Sequence, residues 1–103
     1  LCKIEKLKWI RVLYCYPEDI TESLAKTIAD EPKIVKYLDM PLQHISDNIL
    51  KLMGRKSRQA QVEALIDDLR SKVPSLCIRT SLITGFPGET QEDFEKLKEF
   101  LNK

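Results

Sequence analysis

Residues Leu76–Thr90 read Leu-Cys-Ile-Arg-Thr-Ser-Leu-Ile-Thr-Gly-Phe-Pro-Gly-Glu-Thr, an apolar run followed directly by a glycine turn. The run 76–84 predicts a buried strand. Gly85 and Gly88 let the backbone approach a bound molecule without interference from side chains, and Thr90 can cap the helix that follows. Folds with parallel strands bind their ligands at turns of this kind. The same residues could also form a tight strand-to-helix connection and nothing more.

Two earlier segments repeat this design of an apolar strand followed by a helix. Trp9–Tyr16 is apolar and β-favouring, and Asp19 or Thr21 can cap the amphipathic helix after it. Val35–Leu42 is a second strand, and a helix starts near Ser46. A strand that alternates with a helix three times predicts an α/β fold in which parallel strands are joined by right-handed crossovers.

The remaining segments are predicted helices. Ser57–Val73 repeats apolar residues at helical spacing and therefore buries one stripe. Leu1–Lys8 also has apolar residues at helical spacing and predicts the last turns of a helix. Because a sheet of three parallel strands leaves its faces and edges poorly covered, we expect residues 1–103 to be a fragment of a larger domain.

Composition and charge limit the classes of function. The chain has 103 residues and a net charge of +1, which gives no electrostatic basis for direct nucleic-acid binding. It has no apolar run long enough for a membrane span, and we expect a cytoplasmic protein. The cysteines Cys2, Cys15 and Cys77 are odd in number and lack Cys-x-x-Cys spacing, which argues against a disulfide framework and against a metal site made by this chain alone.

Polar residues interrupt the second and third strands. Because side chains alternate along a strand, Asp39 and Gln43 share one face of the second strand, and Arg79 and Ser81 share one face of the third. Buried charges are rarely left alone, so we expect Asp39 to pair with Arg79, in a structural rather than a catalytic role. The alternate residues of the second strand are apolar and should meet the helices: Leu38, Met40 and Leu42.

Three segments together resemble the radical S-adenosylmethionine enzymes and, within them, the methylthiotransferases. They are Tyr37–His44, Ile49–Arg55 and Ile83–Thr90, followed by Glu-Asp-Phe at 92–94. The Gly-Phe-Pro-Gly-Glu-Thr turn occurs in several branches of this superfamily, so it indicates the superfamily better than the branch. The resemblance covers almost the whole chain.

Two shorter segments indicate the branch. Asp39-Met-Pro-Leu-Gln-His44 and Tyr14-Cys-Tyr-Pro17 are similar to the enzymes that methylthiolate an aspartate of a small-subunit ribosomal protein. The tRNA-modifying branch usually carries a Gln-Ser-Gly-Ser type of sequence where this chain has Gln43–Ser46. A tRNA methylthiotransferase or another radical S-adenosylmethionine enzyme remains the alternative.

The resemblance implies both a fold and cofactors. The chain would form three consecutive β/α units of a partial, TIM-like (β/α)6 barrel, with S-adenosylmethionine lying across the carboxyl ends of the strands. A [4Fe-4S] cluster is held in this superfamily by a Cys-x-x-x-Cys-x-x-Cys loop, and no such spacing occurs in this chain. We therefore expect the cluster ligands and the flanking domains to lie outside it. The chain alone should be inactive, and we assign it no catalytic and no metal-ligating residue.

The resemblance also implies two polar contacts to the cofactor. A glutamine that contacts the ribose region corresponds to Gln43, and an arginine that reaches the methionine carboxylate corresponds to Arg55. The fork of an arginine suits a carboxylate because it can donate two charge-assisted hydrogen bonds. Each residue also has a purely structural alternative, since Gln43 could satisfy buried backbone and Arg55 could cap its helix.

Five further residues correspond to positions near the cofactor in relatives. The third strand and its turn supply apolar and backbone contacts to adenine, which implies Ile83, Gly85 and Phe86. Ser81 stands where several relatives carry an aspartate, and Tyr14 stands where some carry a glutamate. Both are departures from the family pattern.

Two residues near the turn and one alternative function remain open. His44 is the only histidine and is expected to be a packed or surface side chain, with a role in the cofactor pocket or a contact with the substrate as the alternative. Glu89 could simply stabilise a helix start. A stand-alone, non-enzymatic α/β binding module, with the turn holding a phosphate, is the alternative from another class. The turn lacks the Gly-Lys-Ser/Thr of a phosphate loop.

For the fragment we expect self-association through its exposed strand edges, with Trp9 and Ile10 taking part.

Overall fold

The computed structural model describes residues 1–103 and contains one parallel sheet flanked by helices. The three strands pair in sequential order, and they are β1 (Ile10–Val12), β2 (Ile34–Asp39) and β3 (Cys77–Arg79). The helices are α1 (Glu22–Asp30), α2 (Asp47–Leu52), α3 (Gln59–Lys72) and α4 (Gln91–Leu101). The predicted α/β class with parallel strands is confirmed. None of the helices is both long enough and apolar enough to cross a bilayer.

Two predicted strands are shorter in the structure. β1 ends at Val12, and Tyr14 has a left-handed backbone with φ of 62° that cannot continue a strand. β3 ends at Arg79, although parallel pairing resumes at the bridge between Gln43 and Leu82. The sequence therefore located the strands correctly but not their ends.

The amino-terminal segment differs from its prediction. Instead of the last turns of a helix, Leu1–Lys8 forms successive tight turns. The Ile4 N–H donates to the Leu1 carbonyl at 2.9 Å, and the Leu7 N–H donates to the Ile4 carbonyl at 3.2 Å. Most side chains of this segment are exposed. A short helix is only marginally stable unless its apolar face packs against another element, which explains why no helix forms here.

The core lies between the sheet and the helices in two adjoining clusters. One joins α1, α3 and β2 through Ala25, Ile28, Ile34, Leu38, Leu69 and Val73. The other joins the chain beyond β2 to α3 and α4 through Met40, Leu42, Ile45, Val62 and Leu97. The helix-facing residues predicted for the second strand, Leu38, Met40 and Leu42, are all buried.

The opposite face of the sheet carries two polar contacts. Arg79 Nη1 lies 2.9 Å from Asp39 Oδ1, across paired positions of β2 and β3, which confirms the predicted pair. On β1, the Arg11 guanidinium stacks 4.9 Å from the ring centre of Tyr37 on β2. Half of the Arg79 side chain stays in solvent, so this pair contributes little to stability and serves mainly to align the strands.

Side chains cap the helices at several ends. Thr21 accepts a hydrogen bond from the Leu24 N–H at 3.1 Å and so caps α1, while Asp19 instead belongs to a single 3₁₀ turn. Thr90 caps α4 as predicted. At the other end of α1, the Lys36 ammonium on β2 donates to three carbonyls, those of Ile28, of Ala29 at 2.9 Å and of Glu31 at 3.3 Å. The last carbonyls of a helix have no partner within it, so this lysine supplies what α1 lacks.

Replacement of this lysine tests the cap. Lys36→Met keeps the apolar stem and removes the donor, so we expect the free energy of unfolding to fall by about 1–2 kcal/mol in urea denaturation. Lys6→Met, which changes an exposed lysine in the amino-terminal turns, is the matched control and should change it by less than about 0.5 kcal/mol. Equal stabilities of the two variants would mean that water serves the carbonyls as well as Lys36 does.

Candidate functional site

The chain segments after β2 and β3 stay together beyond the regular strands. The Gln43 N–H donates to the Ser81 carbonyl at 2.9 Å, and the Gln43 carbonyl accepts from the Ile83 N–H at 2.7 Å. These bonds place Gln43, Ser81 and Ile83 side by side at the carboxyl edge of the sheet, as the sequence predicted. Gln43 has φ of 70°, a conformation uncommon for a residue other than glycine. Such a backbone is maintained only where the surrounding structure fixes it.

The glycine turn follows at the same edge. Gly85 has φ of 75° and Gly88 has φ of 90°, so both use a backbone conformation that favours glycine. The Glu89 N–H donates to the Phe86 carbonyl at 2.8 Å, and Glu89 Oε2 accepts from the Phe86 N–H at 3.0 Å, which closes the turn. A Cβ at Gly88 would lie 3.0 Å from Leu52, whereas one at Gly85 would meet nothing within 4 Å. The turn is therefore packed on one side and open at Gly85.

Arg55 is placed by the way α2 ends. The Arg55 N–H donates to the Leu50 carbonyl at 2.8 Å, and the Gly54 N–H donates to the Lys51 carbonyl at 3.0 Å. This pair of bonds is a Schellman motif, and Gly54 supplies its left-handed residue with φ of 71°. The sequence Gly54-Arg55 after an apolar helix could have predicted this motif, which the reading by spacing alone missed.

The guanidinium of Arg55 is held in place by two contacts, but one of its hydrogen-bond donors has no acceptor. It stacks 4.7 Å from the ring centre of Tyr16, and Nη2 donates to the Pro41 carbonyl at 3.2 Å. Its Nε is buried and has no hydrogen-bond partner. A buried charged donor without a partner is costly, so this side chain is suited to receive an anion. Tyr16, which sequence reasoning did not assign to the site, fixes the plane of the guanidinium.

The remaining predicted residues lie at the same edge. Tyr14 is 65% exposed, and its ring meets that of Tyr16 edge-to-face with 6.0 Å between centres. Phe86 is half-buried in the turn, and Ile83 is 42% exposed. The structure thus brings the predicted residues to one edge of the sheet, and their contact with a cofactor stays a prediction.

A buried carboxylate ties this edge together. Asp93 accepts from the Ser46 hydroxyl, from the Thr90 N–H at 3.1 Å and hydroxyl at 2.8 Å, and from Asn48 Nδ2 at 3.4 Å. The Ser46 hydroxyl, followed by the Thr90 N–H, holds the pKa of Asp93 well below its usual range. These bonds join the starts of α2 and α4. Sequence reasoning missed Asp93, although Thr-x-x-Asp at 90–93 is close to a capping box.

His44 lies beneath the glycine turn. Its ring is completely buried, and Nδ1 accepts from the Ser46 N–H at 3.0 Å. Its Nε2 has no hydrogen-bond partner and lies 3.9 Å from Glu89 Oε1. The packed position agrees with the expectation, and Glu89 is the neighbour that the sequence could not identify.

The residues present do not fit an iron–sulfur cluster. No group of three or more His, Cys, Asp or Glu side chains is placed to hold a metal ion. Burial, with smaller effects from Asp39 and Asp19, raises the pKa of the Cys15 thiol. A raised pKa disfavours the thiolate, which is the form that binds iron.

Comparisons with known proteins show the family of the chain. The family described as the radical SAM superfamily matches residues 1–101. Ribosomal protein uS12 methylthiotransferase RimO of Citrifermentans bemidjiense is 55% identical over 103 residues, which are 100% of this chain and 23% of that protein. The proteins of the same name from Clostridium botulinum and Pelobacter propionicus are 57% and 54% identical over the same length, again 23% of each. The chain thus spans about a quarter of the length of these relatives.

The Asp93 contacts predict an acid-dependent loss of stability. Asp93→Asn has one acceptor oxygen instead of two, so we expect it to lower the free energy of unfolding at pH 7 by about 1–3 kcal/mol. The native pKa of Asp93 is depressed, so its carboxylate contributes fully to the free energy of unfolding at pH values above its pKa in the unfolded chain, which is about 4. This contribution decreases as the pH falls below that value.

Urea denaturation at pH 7 and pH 3 measures this contribution. The difference in the free energy of unfolding between wild type and Asp93→Asn should be smaller at pH 3 than at pH 7. Glu92→Gln, at an exposed neighbouring position, is the control and should show no comparable narrowing. If wild type and Asp93→Asn differed in the free energy of unfolding by the same amount at both pH values, the proposed role of the carboxylate charge would be wrong.

Proposed function

The chain belongs to the radical SAM superfamily, and on that premise we propose that it forms part of the S-adenosylmethionine-binding wall of a methylthiotransferase. The substrate that we propose is an aspartate of a small-subunit ribosomal protein, which matches the ribosomal protein named for the relatives. The observation that carries the cofactor assignment is the unpartnered, buried Nε of Arg55 at the carboxyl edge of the sheet.

Arg55 is the proposed ligand of the methionine carboxylate. Its Nε–H lacks a partner, and Nη2 already donates to the Pro41 carbonyl at 3.2 Å, so the group is oriented before any ligand arrives. The Tyr16 ring, 4.7 Å away, supports the flat face of the guanidinium. A carboxylate would satisfy this buried donor through a charge-assisted hydrogen bond once the groups that cover Nε move aside.

The nucleoside end of the cofactor would meet the strand ends and the turn. Gln43 is held in a left-handed backbone between Ser81 and Ile83, which makes it a fixed polar contact for the ribose. Ile83 is partly exposed and offers an apolar surface for adenine. The open space at Gly85, together with the half-buried Phe86, leaves room for the ring.

Two residues would contribute at the margins of this site. Ser81 lies beside Gln43 on the third strand, and its carbonyl fixes the Gln43 backbone. Tyr14 is exposed next to Tyr16 and could cover the carboxylate end. Neither is an ionised group, so we expect each to contribute less to binding than Arg55.

The chain binds and orients, and the cofactors supply the reaction. When bound, S-adenosylmethionine and the iron–sulfur clusters supply the radical and methyl-transfer chemistry. We propose that the cluster ligands lie outside these 103 residues, because the cysteines present do not converge. The chain alone would then be inactive. Modification of a ribosomal protein would take place in the cytoplasm, where ribosomes are assembled.

We also propose that the isolated chain self-associates and does not bind nucleic acid directly. The outer edges of β1 and β3 have no neighbouring strand. Next to β1, Trp9 is 81% exposed and Leu13 is 60% exposed. Free backbone groups beside apolar side chains recruit other chains. With a net charge of +1, the chain lacks the overall positive charge that attracts nucleic acid.

Removal of the Arg55 side chain tests the cofactor site. In the full-length enzyme that contains this sequence, Arg55→Ala should weaken S-adenosylmethionine binding by about 1.5–3 kcal/mol, the scale of a hydrogen bond to a charged group. This corresponds to roughly 10- to 150-fold in the dissociation constant, which calorimetry can measure. Arg55→Lys keeps the charge but loses the fork and should be intermediate.

The control for Arg55 is Arg70→Ala, an exposed arginine at the end of α3. It should leave the affinity unchanged, and the absorption of the cluster should be unchanged in every variant. An unchanged affinity in Arg55→Ala would assign Arg55 a structural role, at the end of α2, and would remove the main support for the site.

The self-association proposal has its own measurement. Sedimentation of the 103-residue chain over a range of concentrations should show mass that rises with concentration. Trp9→Lys should reduce the effect, because charge at a sheet edge opposes pairing between chains. A monomer at every concentration would show that the helices protect the edges by themselves.

A further inference from the structure

His44 is a buried histidine whose two nitrogens have different surroundings. Nδ1 accepts a hydrogen bond from the Ser46 N–H at 3.0 Å, at the residue that precedes α2. A nitrogen that accepts a hydrogen bond carries no hydrogen, so the proton of the neutral ring is on Nε2. The ring has no exposed surface, and Nε2 has no hydrogen-bond partner. The Nε2–H is therefore a buried donor available to a neighbour.

That neighbour is Glu89 in the glycine turn. Glu89 Oε1 lies 3.9 Å from His44 Nε2, and Oε2 accepts from the Phe86 N–H at 3.0 Å. Only 7% of the Glu89 side chain is exposed. A carboxylate buried to this extent needs donors, and the Phe86 N–H supplies one of them. The Nε2–H is the second donor within reach of a small movement.

We propose that His44 is a positioning residue that holds the glycine turn through Glu89. The inference rests on the proposed function, because the turn is the proposed adenine contact and Gln43, next to His44, is the proposed ribose contact. The gap of 3.9 Å exceeds an ordinary hydrogen bond by about 1 Å. Polar contacts at a binding site often shorten when the ligand arrives, and closure of this gap would tighten Phe86 against the adenine.

The other role open to His44 is to support α2 through Nδ1 alone. Two substitutions separate the roles, because each preserves one nitrogen. His44→Asn places an oxygen near Nδ1, so it keeps the acceptor for Ser46 but has no proton for Glu89. His44→Gln reaches the position of Nε2 with an amide N–H, so it keeps the donor for Glu89 but loses the acceptor for Ser46.

Glu89→Gln probes the same contact from the turn. In glutamine one of the two terminal oxygens becomes an NH2 group, so an acceptor is lost either opposite the Phe86 N–H or opposite His44 Nε2. The shape of the side chain is almost unchanged, and Glu89 lies in a turn outside the two core clusters, so we expect this variant to fold even if the histidine variants are unstable.

The experiment uses the full-length enzyme with its clusters in place. Hydrogen exchange of the segment 84–90, followed by mass spectrometry, reports on the Phe86 N–H. Calorimetry with S-adenosylhomocysteine, a non-reacting analogue, reports on affinity. In His44→Asn and Glu89→Gln we expect exchange about tenfold faster and affinity about tenfold weaker, the effect of one hydrogen bond. His44→Gln should stay within about threefold of wild type, and the double variant should be no worse than either single variant.

Several results would overturn the inference. Unchanged exchange at 84–90 in both His44→Asn and Glu89→Gln would show that His44 does not hold the turn. A defect in His44→Gln as large as that in His44→Asn would assign His44 to the support of α2. If these two variants exchanged faster at 84–90 but bound S-adenosylhomocysteine with unchanged affinity, His44 would hold the turn without contributing to cofactor binding. A wild-type enzyme that fails to bind S-adenosylhomocysteine would instead overturn the proposed function, while the exchange data would still decide the role of His44.

Discussion

The structure depends on backbone pairing along a single central segment, residues 34–43. β2 occupies the middle of the sheet and pairs with both neighbours, and the chain beyond it keeps bonding to the third strand through Met40 and Gln43. A parallel sheet needs a crossover for each pair of strands, and each crossover here brings a helix onto the same face. Ile34, Leu38, Met40 and Leu42 of β2 and its continuation are therefore buried by helices, whereas Asp39 meets Arg79 on the other face.

This pairing brings the site together because every strand ends at one edge. Gln43, Ser81 and Ile83 are neighbours only through backbone bonds between the second and third segments. The two helices that start at this edge are then fixed to each other by Asp93, which accepts from both Ser46 and Thr90. A cofactor that lay across the edge would contact groups whose relative positions are set before it binds. Such preorganisation lowers the entropic cost of binding.

The sequence predicted what periodicity and capping control. The parallel strands follow from the repeated strand–helix pattern, and their consecutive order was implied by the family resemblance. The helix-facing residues of β2 follow from side-chain alternation, and the pair of Asp39 with Arg79 follows from the pairing of charges. The contacts that span distant segments could not be predicted in this way. The ring of Tyr16 under Arg55 is one such contact, and the approach of Glu89 to His44 is another. They depend on how loops meet after folding, and no spacing in the sequence encodes that distance.

The three strand ends also share a backbone feature that composition conceals. β1 is followed by Tyr14 with φ of 62°, the second segment ends at Gln43 with φ of 70°, and the third ends at Gly85 with φ of 75°. Only the glycine adopts a left-handed backbone without a conformational energy cost. For the tyrosine and the glutamine this cost is about 1 kcal/mol each. Such strain persists where the surrounding structure imposes it, and it occurs most often at binding sites. At both costly positions the side chain is one that the proposed site uses. A glycine there would relieve the strain but would remove the group that meets the ligand.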